Sequence, residues 1–571
     1  MSQEKPTTQT AEHPQEGSGR QWLLLADVDR IKDYIFASVR LRQMVGASAS
    51  LAYVHKDLTK DIVSNKRRGT LIFSEGGVTQ ALFDDKGKAE AAKRELERVY
   101  PKETGGATVT VVVQKVEDNF PKALQEGLRT LRQKKMMGGE DETAPSLVAS
   151  PFFRFCAQTG WQPAEVWEKR TPMEETPEEF SRMSWRQHDW RPPSNWRLSK
   201  KTRDRLPIDR EVREVLAEKL NCSPCDLEFP QDFDDLGELA QPSGYMAFME
   251  ADGNRFGELL SALAQQNASK RDYKTFSTGL SEITRRALLF AIRDTIGEWM
   301  KGKDERPIPL RVLILGGDDV LLVTIPQVAL KMAHLFCRKF QELGEQFKQN
   351  GLPECPLSPA LTLPALSTTD DALKKLPPFT MSAGIVIAHH NLPILSFRRL
   401  ADKLLKNAKR RSWKAKKGKV DAGALDFQVI TGSGVEDLKV MREEGYEING
   451  KPKRWLTGRP YLIAPDNDEF NELLCAVQKL KNLARRQRHA VVQCLRESSY
   501  EQATIGFLRW LCRLKDEQRD AVREVVNLFR SAGDAMVLPW QLDKRPGGYG
   551  EGVWTPLIDA VEILELLGQG A

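Results

Sequence analysis

Arg311-Val312-Leu313-Ile314-Leu315-Gly316-Gly317-Asp318-Asp319-Val320-Leu321-Leu322-Val323 is two apolar runs joined by a Gly-Gly-Asp-Asp turn. Apolar runs of this length rich in Val, Ile and Leu favour extended strands, and the glycines permit the backbone angles of a tight hairpin. Adjacent carboxylates at such a tip repel each other. A bound cation is the simplest relief.

A second element lies about 64 residues upstream. Tyr245-Met246-Ala247-Phe248-Met249-Glu250-Ala251-Asp252-Gly253-Asn254-Arg255-Phe256 reads as a strand that ends in Asp-Gly and opens a helix with Phe256, Leu259, Leu260 and Leu263 on one face. If this strand pairs with the hairpin, Asp252 faces Asp318 and Asp319. Three carboxylates from two strands suit a pair of divalent ions roughly 3.5–4 Å apart. Polymerases and cyclases of the palm type use that arrangement to hold Mg²⁺ against a triphosphate. Asp252 also suits a plain helix N-cap. The hairpin downstream favours the metal role.

The layout occurs twice. Leu23-Leu24-Leu25-Ala26-Asp27-Val28-Asp29-Arg30-Ile31 aligns without gaps on the stretch through Asp252. Downstream comes Leu71-Ile72-Phe73-Ser74-Glu75-Gly76-Gly77-Val78-Thr79. Matching the glycine pairs sets Val78 and Thr79 against Asp318 and Asp319. An internal repeat of this kind predicts two related domains, the first having lost its hairpin carboxylates. The expected class is α+β, with two ferredoxin-like palm domains, the first degenerate.

Five stretches in order carry a resemblance to a known family. They are Ala26-Asp27-Val28-Asp29 with Gly46-Ala47-Ser48, then Ala251-Asp252-Gly253-Asn254, then Gly316-Gly317-Asp318-Asp319, then Met381-Ser382-Ala383-Gly384-Ile385 with His389-His390 and Pro393, then Ala401 through Lys409. Over roughly residues 20 to 570 the chain resembles the large polymerase-like subunit of type III CRISPR effector complexes. The resemblance implies two palm domains, a zinc-binding insert and a helical C-terminal domain. It also implies a cyclic oligoadenylate synthase of antiviral defence, which joins ATP when guide RNA in the complex meets target RNA.

The chemistry stands apart from the family. A 3′-hydroxyl attacks an α-phosphorus and pyrophosphate leaves, aided by Mg²⁺ or Mn²⁺ on Asp252, Asp318 and Asp319. Triphosphate also calls for fixed positive charge. A helical pattern runs from Ala401 into Lys409-Arg410-Arg411-Ser412-Trp413-Lys414-Ala415-Lys416-Lys417-Gly418-Lys419. The resemblance puts Lys409 on the polyphosphate, with Gly253, Gly316, Gly317 and Ser382 around the nucleotide. A solvated basic face is the plain alternative for this run, and RNA backbone is another partner for the later lysines. Ser382 lies in the apolar strand 380–388, expected beside the hairpin; a buried, satisfied hydroxyl is equally consistent there. His389 and His390 read as loop residues.

The 571 residues suffice for three or four domains. A net charge of +6 suits an RNA partner without establishing one. No apolar run approaches a membrane span and no signal peptide is evident, so a cytoplasmic protein is expected. The eight cysteines are scattered and indicate no disulfide framework. Cys222-Ser223-Pro224-Cys225 is the single Cys-x-x-Cys. Where the family often has a first Cys pair, Cys156-Ala157-Gln158-Thr159 keeps one cysteine, with Thr159 in place of the other. Cys156, Cys222 and Cys225 with His188 could still hold zinc, but structural sites take about four ligands, and a vestigial, metal-free region is expected. Longer relatives begin with a nuclease domain bearing a His-Asp pair. Only His13 precedes the first palm, and His188-Asp189 is a lone dipeptide, so single-stranded DNA cleavage is not expected.

The expected organisation is a disordered tail over 1–19, the degenerate palm over 20–135, an irregular insert over 136–242, the active palm over 243–432, a linker over 433–464, and a C-terminal helical bundle over 465–571. The bundle would meet other subunits of the complex, or simply brace the palm. Two other functions compete with the synthase: a catalytically silent scaffold in the same complex, and a stand-alone dinucleotide cyclase. Intact Asp252, Asp318 and Asp319 weigh against the first. Val320 in place of the Phe that follows the acidic pair in diguanylate cyclases weighs against the second.

Overall fold

The computed structural model describes residues 21–117, 120–137, 156, 164, 166–168, 178–191, 205–266, 268–303, 307–358, 361–366, 371–432, 437–466, 468–528, 538–543, 545, 548 and 552–567. The expected tail over 1–19 lies outside them.

Two sheets carry the architecture, and both are built in the order strand, helix, strand, strand, helix, strand. In the first, Gln21–Val28 leads, the helix Leu41–Tyr53 follows, Thr70–Glu75 and Val78–Phe83 form the hairpin, and Lys86–Thr104 crosses to Val109–Val116. The lead strand lies between the hairpin and the last strand. In the second, Tyr245–Gly253 leads, Lys270–Met300 follows, Leu310–Gly316 and Asp319–Thr324 form the hairpin, and Pro326–Asn350 crosses to Met381–His389. The strand order is the same, extended by Gly423–Val429 and Tyr461–Ile463. The class is mixed α/β with a palm-like second unit.

Local chemistry explains the element ends. Ser269 and Asp272 form a reciprocal capping box at the start of the 31-residue helix. Pro326 opens the next helix at a position where its missing N–H costs nothing. The lead strand Tyr245–Gly253 is buried along almost its whole length, as its near-continuous apolar sequence requires.

The two units meet hairpin tip to hairpin tip. A Cβ on Gly316 would stand 3.0 Å from the Gly76 Cα, so backbone touches backbone there and no side chain fits.

Several expectations change. The strand Met381–His389 is not beside the hairpin: it pairs with the other edge of Tyr245–Gly253, with Ser382 opposite Asp252. The boundary at 135 cuts the helix Phe120–Met137 inside its last turn. Part of the insert is regular: Pro207–Leu220 is a helix tied to the second unit where Arg285 grips Glu211 at 2.7 Å, and Arg182–Asp189 is another. The 433–464 linker holds the helix Leu438–Tyr446 and ends in the sheet's edge strand Tyr461–Ile463. Beyond it stand the helices Glu469–Leu480, Arg485–Leu495, Tyr500–Cys512, Asp516–Leu528 and Leu557–Leu567. A small sheet that includes Arg454–Trp455 and Val553–Trp554 joins them. Buried Arg459, paired with Asp559 at 2.9 Å and with Glu562, pins the last helix to that edge. Among the described residues no helix is long and apolar enough to cross a membrane.

Candidate active site

The lead strand and the second strand of the hairpin run antiparallel, with Ala251 opposite Val320. One step further along that ladder sets Asp252 across from Asp319. The hairpin closes on the pair Gly316 and Asp319, leaving Gly317 and Asp318 as the two tip residues. Gly317 takes a φ of 60°, which suits glycine at the first position of a tight hairpin turn. Asp318 then sits over Gly253: a Cβ on that glycine would come 2.7 Å from Asp318 Oδ2. The glycine therefore makes room for the Asp318 carboxyl.

Asp318 is pushed up to about 7, by burial first, then by the charges of Asp252 and Asp319 and by a hydrogen bond between its carboxyl and that of Asp252. Burial raises Asp319 as well, against the lowering effect of Lys32. Two lysines now balance this charge. Lys409 Nζ donates to Asp252 Oδ2 at 2.5 Å and to the Gly253 carbonyl at 3.0 Å. Lys32, from the first unit, donates to Glu250 Oε1 at 2.6 Å and lies 3.4 Å from Asp319 Oδ1. Burial works against the Lys32 ammonium, yet Asp319 and Glu250 outweigh it and hold its pKa above the ordinary lysine value.

Among the described residues no group of three or more His, Cys, Asp or Glu side chains forms a ready-made metal cage. The aspartates fit a different kind of site. Mg²⁺ is commonly taken by one or two carboxylates together with phosphate oxygens, and a frustrated Asp252–Asp318 pair beside half-exposed Asp319 offers that donor set. Next to it, a cavity of about 480 Å³ runs between the first unit and the helix Ile394–Lys417, lined by Lys32, Phe36, Glu250, Arg398 and Asp402 among others.

Ser382 is fully buried. Its hydroxyl donates to Asn254 Oδ1 at 2.9 Å and accepts from the Ala424 amide at 3.2 Å. It holds Asn254, the residue that follows the Asp252-Gly253 strand end. The basic residues beyond Lys409 divide: Lys416 pairs with Glu258 at 2.7 Å, and Arg411 is buried on Glu469. His390 pairs with Asp234 at 2.9 Å, with His389 stacked on it. Cys156 is buried against Ser184 and Cys225 is exposed.

The repeat is closer in structure than in sequence. In the first unit Lys135 Nζ reaches Asp27 Oδ2 at 2.8 Å and the Val28 carbonyl at 3.0 Å. Lys409 makes the same two contacts to Asp252 and Gly253. Arg30 and Arg255, aligned in the repeat, both take left-handed backbone angles. Matching the glycine pairs, however, sets the hairpins one residue out of register. The first hairpin closes on Glu75 and Val78, with Ala26 opposite Thr79. Gly76 (φ 61°) is thus the partner of Gly317 (φ 60°), and Gly77 and Val78 stand where Asp318 and Asp319 stand. Lys32 and Lys135 were not legible beforehand. Their partners lie 218 and about 107 residues away, and no local motif marks either one.

Residues 245–418 match the Cas10/Cmr2 second palm domain. No curated protein matches the chain significantly. Among solved structures, Csm1 of T. onnurineus is similar at 13% identity with a TM-score of 0.52, covering 96% of this chain and 70% of that one. A Csm1–Csm4 cassette in complex with pppApApA gives 12% and 0.51, covering 96% and 69%. A Csm1–Csm4 cassette in complex with cA4 gives 13% and 0.50, covering 96% and 70%. At these identities the structural likeness is one of fold. With the palm match it supports a Cas10-like chain.

Proposed function

We propose that this chain is the RNA-activated cyclic oligoadenylate synthase subunit of a type III CRISPR effector complex. The observation that carries the reading is the convergence of Asp252, Asp318 and Asp319 at one strand end, with Asp318 held near 7 by burial first and then by its two neighbours. A site that stores this much repulsion between carboxylates favours cations brought with a nucleotide.

Mg²⁺ or Mn²⁺ bound by the three aspartates would lower the pKa of the attacking 3′-hydroxyl and neutralise the leaving oxygens. The remaining work falls to the chain. Lys409, already at the strand end, would move from Asp252 to a triphosphate oxygen once a metal takes over that carboxylate. Gly316 and Gly317, without side chains, let the tip pack on Gly76 of the first unit and so fix the turn that presents Asp318 and Asp319 to the nucleotide. Gly253 leaves the space into which Asp318 fits. Ser382 acts at one remove, fixing Asn254 and so the end of the lead strand. The 3′-hydroxyl gives up its proton to solvent, the new bond joins its oxygen to the α-phosphorus, the bond to the bridging oxygen breaks, and pyrophosphate departs.

Solved cassettes that pair Csm1 with Csm4 suggest a second subunit as partner, and the net charge of +6 suits guide and target RNA. The test is incubation of the purified chain, alone and in its complex, with ATP or GTP, Mg²⁺ and target RNA, with products read by mass spectrometry. RNA-dependent oligoadenylates support the reading. Absence of product from an intact complex supports a silent scaffold. RNA-independent cyclic diguanylate supports a stand-alone cyclase.

A further inference from the structure

Lys32 stands outside any expectation for the second unit's site. It sits on the short helix Ile31–Ile35 of the first unit, yet its ammonium lies within 2.6 Å of Glu250 Oε1 and 3.4 Å of Asp319 Oδ1. Glu250 is two residues before Asp252 on the same face of the lead strand, and its side chain is 2% exposed. Its other oxygen, Oε2, has no hydrogen-bond partner. A buried carboxylate is costly unless it is paired. Among the described residues its pairing comes from the other unit of the repeat.

We propose that Lys32 is a built-in counter-cation and positioning residue: its ammonium takes the Asp319–Glu250 side of the site in the resting protein, holding Asp319 in place and keeping divalent ions from binding tightly until a nucleotide brings them. This inference rests on the metal-dependent reading of the three aspartates. The geometry argues for it in three ways. The ammonium bridges one residue of the metal set and one buried carboxylate outside it, so it competes with an ion for the first while anchored by the second. Lys32 also lines the adjoining cavity of about 480 Å³, so its long side chain has space to withdraw without unfolding the helix that carries it. The side chain is 30% exposed, which leaves it free to exchange partners. The second unit's carboxylates are therefore incompletely balanced without the first unit, and the degenerate half of the repeat retains a role at the site.

The test is a titration of the full chain with Mn²⁺, in the absence of nucleotide, followed by electron paramagnetic resonance, beside ATP turnover in the same preparations. Removing one positive charge at this separation changes ion affinity by about tenfold in a partly exposed site. Lys32→Met is expected to bind Mn²⁺ about tenfold more tightly than the parent and to turn over ATP more slowly. Lys32→Arg keeps the charge and is expected to match the parent in Mn²⁺ affinity. Glu250→Gln, which removes a negative charge, shifts affinity the opposite way, and Lys32→Met with Glu250→Gln returns it to within about threefold of the parent. Mn²⁺ affinity unchanged in both Lys32→Met and Glu250→Gln overturns the proposal, as does Lys32→Arg behaving like Lys32→Met. The two readings fail separately. Shifted Mn²⁺ affinity in a parent protein that makes no nucleotide product keeps the role of Lys32 and removes the synthase. Oligoadenylate synthesis with Mn²⁺ affinity indifferent to Lys32 keeps the synthase and removes the role of Lys32.

Discussion

Asp318→Asn exchanges a carboxyl for an amide of the same shape at the most strained point of the site. In the metal-free protein the Asp318 carboxyl titrates near 7 against an ordinary value of 3.8, a difference of about 4 kcal/mol between its protonated and ionised forms. The sign follows from the raised folded value. Below pH 3.8 both folded and unfolded chains carry the proton and the carboxyl is neutral toward folding. Between 3.8 and 7 the unfolded chain has lost the proton and the folded one has kept it, so the carboxyl destabilises increasingly as pH rises. Above 7 the full cost is present. Solvent at the open side of the site lowers it to about 2–3 kcal/mol. Asp318→Asn removes that cost. In EDTA at pH 8 the variant should melt about 2 °C above the parent, given the unfolding entropy of a 571-residue chain, and the gap should nearly close at pH 4.5. Adding Mg²⁺ with ATP should stabilise the parent and leave the variant almost unmoved, while turnover in the variant falls at least about a hundredfold. Differential scanning calorimetry across pH, with and without chelator, measures the melting shifts, and product formation from ATP measures the turnover. A variant that melts below its parent at pH 8 in EDTA would show that Asp318 is not held against its own charge, and the electrostatic account of the site would fail.

Other outcomes follow from single contacts. Gly316→Ala places a methyl 3.0 Å from the Gly76 Cα; forcing the two backbones apart should cost about 1–3 kcal/mol and lower turnover more than it lowers melting temperature, which paired activity and calorimetry measurements would reveal. Ser382→Ala deprives Asn254 Oδ1 and the Ala424 amide of a partner, so stability should drop by about 1–3 kcal/mol with KM for ATP within about twofold; a tenfold KM change at unaltered stability would place the hydroxyl on the nucleotide instead. His55 is buried on Tyr100 and pushed down to about 4, by burial first and then by Lys56. Because the unfolded chain takes up this proton first, about 3 kcal/mol should be lost as pH falls from 6.5 toward 4; urea titrations of His55→Gln should show a flatter dependence over that window.

Asp252, Asp318 and Asp319 were legible because the signal is local: strand-forming residues run directly into the acidic turn, and the chain supplies its own spacing. The duplication was legible for the same reason, since Ala26-Asp27 and Ala251-Asp252 align without gaps. The hairpin register was not. Residue matching counted glycines, whereas the ladder pairs Ala26 with Thr79 and Ala251 with Val320 and so decides which residue reaches the tip. Ser382 was misplaced relative to the hairpin because sequence order does not reveal sheet order, and the lead strand comes between them. The linker over 433–464 was read as such because Tyr461–Ile463 is too short to announce a strand by periodicity, though it closes the sheet.

What the chain determines by itself is the acidic set and its two strands, because neighbouring residues dictate extension, turn and charge. What only tertiary structure decides is the balance of that charge. Lys409 and Lys32 arrive from 157 and 287 residues away, and the packing of one unit against the other brings the second of them to the carboxylates. Electrostatic interaction depends on distance in space, and separation along the chain carries no record of it.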